Sequence, residues 1–225
     1  MNLLQITTVA QSTDVPVASE PSMSILDLLL KGGWIMLPVL SLSLVAIYVI
    51  VERTLALNRA AKTKKGLVDS IKSSIQKADL STAQTMVAQY DTPVAAMLLK
   101  GIKRVGSPVK EIESAMENTG RVEIMKLEKN MNYLGIIAAV APMLGFVGTI
   151  SGVIKIFYNI SLADNISIGL IAGGLYEKMI TSAAGLIVGI IAHVGFQLLN
   201  MRIESISLEM EKSGVEFIDI ITEHK

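Results

Sequence analysis

The sequence contains no cysteine, and its charges cancel. Without cysteine the chain has no disulfide bonds and no metal sites built on thiolates. Its 20 basic and 20 acidic side chains give a formal net charge of zero, so it lacks the basic surface expected of a nucleic-acid-binding protein. The first residues also lack the basic stretch that opens a cleaved signal peptide. We therefore predict no nucleic-acid partner, and we expect the first apolar segment to be permanent.

Three long windows contain no Asp, Glu, Lys or Arg. They cover residues 32–51, 130–154 and 179–201, which are 20, 25 and 23 residues long. A helix needs about 20 apolar residues to cross the hydrocarbon core of a bilayer, so each window is long enough to do so. The alternative is three buried helices of a large soluble core, which do not need such long runs. We predict an all-α integral membrane protein with three transmembrane helices.

The charges that flank the first window differ on its two sides. Residues 1–31 carry three acidic residues and one lysine, whereas residues 52–65 carry five basic residues and one acid. Because basic residues concentrate on the cytoplasmic side, we expect residue 52 onward inside and the N-terminus outside. The predicted segments are an outer tail (1–22), an interfacial helix (23–31), the first span (32–51), a cytoplasmic helical segment (52–130), the second span (131–157), an outer turn (158–167), the third span (168–201) and a cytoplasmic C-terminal extension (202–225).

Capping residues divide the cytoplasmic segment into helices. Asp79 is expected to cap a helix over residues 80–90, and the break at residues 91–93 to start another that reaches about residue 105. Ser107 is predicted as the next N-cap, with Pro108 at the first helical position. No proline follows before the second window, which predicts one uninterrupted helix from Pro108 through the second span. The third span is likewise expected to continue far into the cytoplasm.

Small and polar residues form a stripe on each of the last two spans. At 3.6 residues per turn, the second-span stripe combines Pro142, Gly145, Thr149 and Gly152, with Ala138 and Gly148 beside them. The third-span stripe consists of Lys178, Ser182, Gly189, His193, Gln197 and Asn200. One interpretation is a packing seam of a monomeric bundle, with hydroxyls bonded to their own i−4 carbonyls. We favour an assembly of copies around a central space, because a polar stripe should avoid lipid.

Two segments carry a family resemblance. "APMLGFVGTISGV" and "GLYEKMITSAAGLIVGIIAHV" resemble the signature segments of the ExbB/TolQ/MotA family of ion-driven motor subunits. The chain is more similar to the ExbB branch than to the MotA branch, which has four spans. The resemblance implies a pentamer in the bacterial inner membrane, with a periplasmic N-terminus and a cytoplasmic C-terminus. It also implies an ExbD-like single-span partner inside the ring and coupling to a TonB-like protein that energises outer-membrane transport.

The resemblance also implies roles for individual residues. Thr149 matches the family's pore threonine, Thr181 and Ser182 match its hydroxyl pair, and Glu177 matches its intramembrane glutamate. Lys178 follows Glu177 where a small apolar residue is more usual. The residues assigned to helix packing and partner approach are Pro142, Gly145, Gly148, Gly152, Gly185 and Gly189.

The windows leave open which group carries the proton. Residues 130–154 and 179–201 contain no carboxylate, and hydroxyls do not change charge near neutral pH. His193 is the one titratable candidate there, and we interpret it as a packed histidine rather than a relay. The titrating group should therefore come from another chain, which the resemblance implies is an aspartate of the ExbD-like partner.

Other functions compete with a motor subunit. The spans hold no nucleophile–base pair and no cluster with metal-ligand spacing, which argues against an enzyme and predicts no cofactor. A stand-alone ion pore would need a selectivity ring of charges, for which Glu177 is the one candidate. Within the family, a TolQ-like envelope-maintenance role and a gliding or secretion motor remain alternatives to the ExbB-like role.

Overall fold

The chain folds into helices throughout the residues that the structure describes. The structure is a computed structural model that describes residues 33–62, 67–76, 79–162 and 168–223. The helices are α1 (Met36–Ala60), α2 (Leu67–Gln76), α3 (Leu80–Ala88), α4 (Pro93–Ile102), α5 (Val109–Leu127), α6 (Met131–Leu162) and α7 (Ile168–Glu223). The predicted outer tail (1–22) and interfacial helix (23–31) lie outside the described residues, as do residues 163–167 of the predicted outer turn.

Three helices are long and apolar enough to cross a membrane: α1, α6, and α7 from Ile171 onward. α6 and α7 run along each other, and α1 packs against both. Their remaining faces expose large apolar side chains, as expected of surfaces in contact with lipid; examples are Leu37, Leu44, Ile47, Phe146, Ile150, Ile187 and Ile190. The predicted all-α membrane fold with three spans is confirmed.

The four shorter helices pack with the last part of α7 and continue the same hydrophobic core; we call this region the polar end (residues 67–76, 79–127 and 202–223). Leu98, Ile112 and Phe217 are almost completely buried there. The predicted helix starts at Asp79 and Thr92 are confirmed. The Asp79 carboxylate accepts a hydrogen bond from the Thr82 backbone N–H at 3.0 Å, and the Thr92 hydroxyl accepts one from the Ala95 N–H at 3.4 Å.

The predicted start of the next helix is wrong by one residue. Pro108, not Ser107, occupies the N-cap position of α5, and no side chain caps the first turn. Because the proline has no N–H and a fixed φ angle, it can precede the helix directly.

The uninterrupted helix predicted from Pro108 through the second span is also wrong. α5 ends at Leu127, and three residues that we call the joint (128–130) separate it from α6. Asn130 has a φ angle of 66°, a left-handed conformation that asparagine tolerates better than most residues. The polypeptide can therefore change direction at the joint without a glycine or a proline.

A buried arginine of α1 holds the joint in place. Arg53 is 6 % exposed, and its Nη1 lies 3.4 Å and 3.5 Å from the carbonyl oxygens of Lys126 and Leu127. Its Nε donates to the Glu52 carboxylate at 2.6 Å. The last carbonyls of a helix have no partner within the helix, so the guanidinium supplies one. Sequence analysis missed this contact, which joins residues more than 70 positions apart.

The prediction that the third helix continues far beyond its charge-free window is confirmed, and its cytoplasmic location stays a prediction. α7 runs without a break for 56 residues, which corresponds to roughly 84 Å. One helix therefore contributes both to the spans and to the polar end.

Candidate functional site between α6 and α7

The two small-residue stripes meet inside one chain. A Cβ atom on Gly145 would lie 3.0 Å from the Cα of Ser182 and 3.1 Å from the carbonyl oxygens of Thr181 and Ser182. A Cβ on Gly185 would lie 2.5 Å from the carbonyl oxygen of Ala141. The backbones of α6 and α7 thus touch directly, as small residues permit in membrane helices. We call this contact the α6–α7 seam (residues 138–152 and 178–189).

The other glycines of the stripes also face the seam. Gly148 lies against the methyl group of Thr181, with 2.9 Å between that methyl and the position of a Cβ atom. Gly189 receives the ring of Pro142, whose Cγ lies 2.5 Å from a Cβ position. The packing-seam interpretation therefore accounts for these glycines without a second chain. The assembly of copies that the sequence analysis favours is not needed to shield these glycines from lipid.

The hydroxyl of Thr149 links the two helices. Its Oγ1 lies 3.1 Å from the carbonyl oxygen of Lys178 on α7 and 3.3 Å from that of Gly145 on its own helix. The second contact is the i−4 hydrogen bond typical of threonine within helices. The side chain is half-buried at the edge of the seam, so it acts as a tie between helices as well as a polar group.

The hydroxyl pair of α7 is divided between two environments. Thr181 is completely buried in the seam, whereas the neighbouring Ser182 is half-buried. Consecutive residues of a helix point about 100° apart, which explains the difference. Of the two side chains, Ser182 is therefore the one that a group outside the chain can reach.

Lys178 occupies one end of the seam. Its aliphatic stem covers Gly152, where a Cβ atom would overlap the lysine Cγ and Cδ. Its Nζ lies 3.7 Å from the Cβ position of Gly33, just before α1. The stem fills the space beside Gly152, and the ammonium lies near the start of α1, between α1, α6 and α7. Glu177 lies on the preceding position of α7, and its side chain is outside the described part of the structure.

His193 does not lie in the seam. Its side chain is exposed on α7, and it has no hydrogen-bond or ionic partner among the described residues. That it is a packed histidine rather than a relay stays a prediction, because a single chain leaves this face of α7 open to other chains. The neighbouring residue Ala192 faces the core instead, with an exposure of 0 %.

The seam brings together hydroxyls, backbone carbonyls and one lysine. Such groups can exchange hydrogen bonds, and hydroxyls can solvate a charge without titrating near neutral pH. No group of three or more potential metal ligands occurs in the described parts of the chain.

Comparisons with known proteins identify relatives over most of the chain. A profile of the MotA/TolQ/ExbB proton channel family matches residues 89–212. A putative biopolymer transport protein, ExbB-like 1, from Synechocystis is 32 % identical over 78 % of this chain and 70 % of its own length. TolQ of the Tol-Pal system from Haemophilus influenzae is 26 % identical over 89 % of this chain and 92 % of its own length. The biopolymer transport protein ExbB of Neisseria meningitidis serogroup A is 24 % identical over 82 % of this chain.

Proposed function

Because the chain belongs to the MotA/TolQ/ExbB proton channel family, we propose that it is the ExbB-like subunit of an inner-membrane motor driven by the proton motive force. Relatives named ExbB and TolQ support a proton channel motor subunit of this type. In the proposed motor, several copies surround an ExbD-like single-span partner. The assembly transmits mechanical work to a TonB-like protein that energises outer-membrane transport. The N-terminus is periplasmic, and the polar end is cytoplasmic.

One observation carries the proposal. Thr149 and Ser182 lie together at the edge of the α6–α7 seam, within the two charge-free windows, which contain no carboxylate. A proton-driven cycle needs a group that binds and releases a proton within the membrane, and a carboxylate is the usual solution. We infer that the partner supplies an aspartate and that these hydroxyls solvate it. The tie from Thr149 to the Lys178 carbonyl fixes the relative position of the two helices.

The exposed polar face of α7 supports assembly into a ring. His193 and Gln197 are exposed in the single chain, although they lie in the third charge-free window. Polar side chains within a bilayer are costly when they face lipid, so they face protein or a watery cavity. A partner and further copies would cover them. The resemblance implies five copies.

A TolQ-like motor that maintains the cell envelope is the second candidate. The alignment with TolQ covers 92 % of that relative and 89 % of this chain, more of both than the alignment with the Neisseria ExbB. Both candidates use the same proton pathway and differ in the protein that receives the work.

The double substitution Thr149→Val with Ser182→Ala tests the proton pathway. Both changes remove a hydroxyl while keeping similar volume, so we expect the partner to co-purify normally while energy-dependent transport falls at least tenfold. Ser151→Ala is the matched control, because it removes a hydroxyl of α6 that is exposed and makes no hydrogen bond to α7 among the described residues. Normal transport by the double variant would contradict the proposed mechanism.

A further inference from the structure

A groove with an apolar floor opens between α5 and α7 at the polar end. It encloses about 570 Å³, a volume within the range of ligand-binding pockets. Three methionines line it: Met97, Met116 and Met210. Two methionine methyl groups form the floor, each beside a glycine. The Cε of Met210 lies 3.4 Å from the Cβ position of Gly120, and the Cε of Met97 lies 3.5 Å from that of Gly214. Methionine adapts to side chains of different shapes, so such a floor accepts a variable apolar partner.

The rim of the groove is acidic. Four carboxylates surround the floor: Glu113, Glu117, Glu211 and Asp219. Arg121 is the one basic side chain among the lining residues, and it pairs with Glu117 at 2.5 Å. The three other carboxylates have no ionic partner among the described residues. A segment that combines basic and apolar side chains would therefore fit both the rim and the floor.

The groove lies on the same face of α7 as Ser182. Ser207, Glu211 and Ile218 line the groove and follow Ser182 by 25, 29 and 36 residues. At 100° per residue, these positions fall within about 20° of the direction of Ser182. If Ser182 faces the central space that holds the partner, the groove opens toward the same space.

We propose that the groove binds the basic cytoplasmic flank of the single-span partner. This inference rests on the proposed function, because it uses the proposed ring and orientation. Segments that flank a span on the cytoplasmic side carry an excess of Lys and Arg, which supplies the charge that the rim lacks. Apolar side chains of the same flank enter between the methionines.

The distance of the groove from the end of the third span indicates which part of the flank reaches it. The groove runs from Ser207 to Asp219, which lie 6 and 18 residues beyond the end of the third window at Met201. On a helix these offsets correspond to about 9 Å and 27 Å. An extended chain covers about 3.3 Å per residue, so roughly the third to eighth residues outside the partner's span reach the groove.

Peptide binding to the full-length chain tests the proposal. The probe is a synthetic eight-residue peptide of alternating lysine and leucine, and its affinity is measured by fluorescence anisotropy with the chain in zwitterionic nanodiscs. We expect binding that weakens as salt is raised, because salt screens the exposed rim charges. Replacing all lysines of the peptide by glutamate should abolish binding, and replacing all leucines by serine should weaken it at least fivefold.

Charge reversal on the chain assigns the binding to the groove. Glu113→Lys with Glu211→Lys changes both walls and should weaken binding at least tenfold. Glu209→Lys with Glu216→Lys is the matched control, because it reverses two exposed charges on the opposite side of α7 and should change affinity less than twofold. Equal effects of the two double variants, whether large or absent, would overturn the proposal.

Cysteine labelling extends the test to the partner. The chain has no cysteine of its own, so Ser207→Cys in the groove and the exposed control Ser205→Cys are each the single thiol. Co-expression of the cognate single-span partner should slow maleimide labelling of Ser207→Cys alone. Protection without the partner would assign the groove to a neighbouring copy and overturn the proposal.

The two proposals can fail separately. Peptide binding requires neither a proton gradient nor transport. Normal transport by the Thr149 and Ser182 double variant alongside groove-specific binding would refute the motor mechanism alone. Loss of transport in that variant without groove-specific binding would refute the groove proposal alone.

Discussion

Gly185→Ala should separate the two helices of the seam. The new methyl carbon would lie 2.5 Å from the carbonyl oxygen of Ala141 and 3.0 Å from the Cα of Gly145. Both atoms belong to the α6 backbone, so no side chain can rotate away. The helices must move apart by about 0.5–1 Å, a gap that already removes a quarter to a half of the dispersion energy of each contact.

Two effects of opposite sign decide the change in stability. Alanine improves helix propensity over glycine by up to about 1 kcal/mol. Overpacking of a tight contact costs about 1–3 kcal/mol. Because the clash is with backbone atoms, overpacking outweighs the gain in helix propensity. We expect a net loss of roughly 1–2 kcal/mol in the free energy of unfolding.

The control is the same substitution elsewhere on α7. A Cβ on Gly173 meets nothing within 4 Å, so Gly173→Ala has the gain in propensity without the clash. The free energy of unfolding in mild detergent is measured by titration with sodium dodecyl sulfate, together with energy-dependent transport. Transport should fall in Gly185→Ala, because separation lengthens the 3.1 Å contact between the Thr149 hydroxyl and the Lys178 carbonyl. A Gly185→Ala chain as stable as the Gly173→Ala chain would refute the reasoning.

Two further predictions concern the polar end and the joint. Hydrogen bonds from the side chain and backbone N–H of Thr82 lower the pKa of Asp79 to about 2. Because the folded-state pKa is below the usual value, its stabilisation of α3 is present above about pH 4 and is lost as the pH falls toward 2. As the pH falls from 4 toward 2, the exchange rate of the Thr82 amide in the wild type should therefore rise relative to its rate in Asp79→Asn. An unchanged ratio of the two rates would contradict the role of the Asp79 carboxylate as the cap. At the joint, Asn130→Gly and Asn130→Val both lose the side-chain hydrogen bond of Asn130 to Glu52, but Asn130→Val should be less stable than Asn130→Gly by roughly 1–2 kcal/mol, because a branched side chain disfavours positive φ. Equal stability of these two variants would argue against a left-handed residue.

The sequence predicted the features that depend on local composition. Charge-free windows of 20 or more residues indicate spans whatever their neighbours are, and capping residues such as Asp79 and Thr92 act within one turn. The joint could not be predicted with the same rule, because part of its support comes from Arg53, far away in the sequence. The signal that was present is Lys126 in the last turn of α5 with Asn130 shortly after it, a pattern common at helix ends.

For the seam, the sequence predicts which residues share a face of each helix but not which surfaces come into contact. Helical periodicity places Gly145 and Thr149 on one face and Ser182 on a face of the next span, but it does not say which surface each face meets. The contact between Gly145 and Ser182 within one chain depends on tertiary packing. Helical periodicity places Met116 and Met210 on the apolar faces of their own helices, but it does not predict the groove, because Met97 and Met210 are more than 100 residues apart.

The two connections between the spans and the polar end differ in continuity: α7 is unbroken, whereas α5 and α6 are separated by the joint. α7 contains no proline and no break over 56 residues, so one continuous helix connects Ser182 with the groove. The other connection is interrupted at the joint, where a rotation of α6 is absorbed by the dihedral angles of three residues before it reaches α5. Opposed rotations of α6 and α7 in the membrane would therefore turn one wall of the groove and leave the other in place. Such rotations would change the width of the groove.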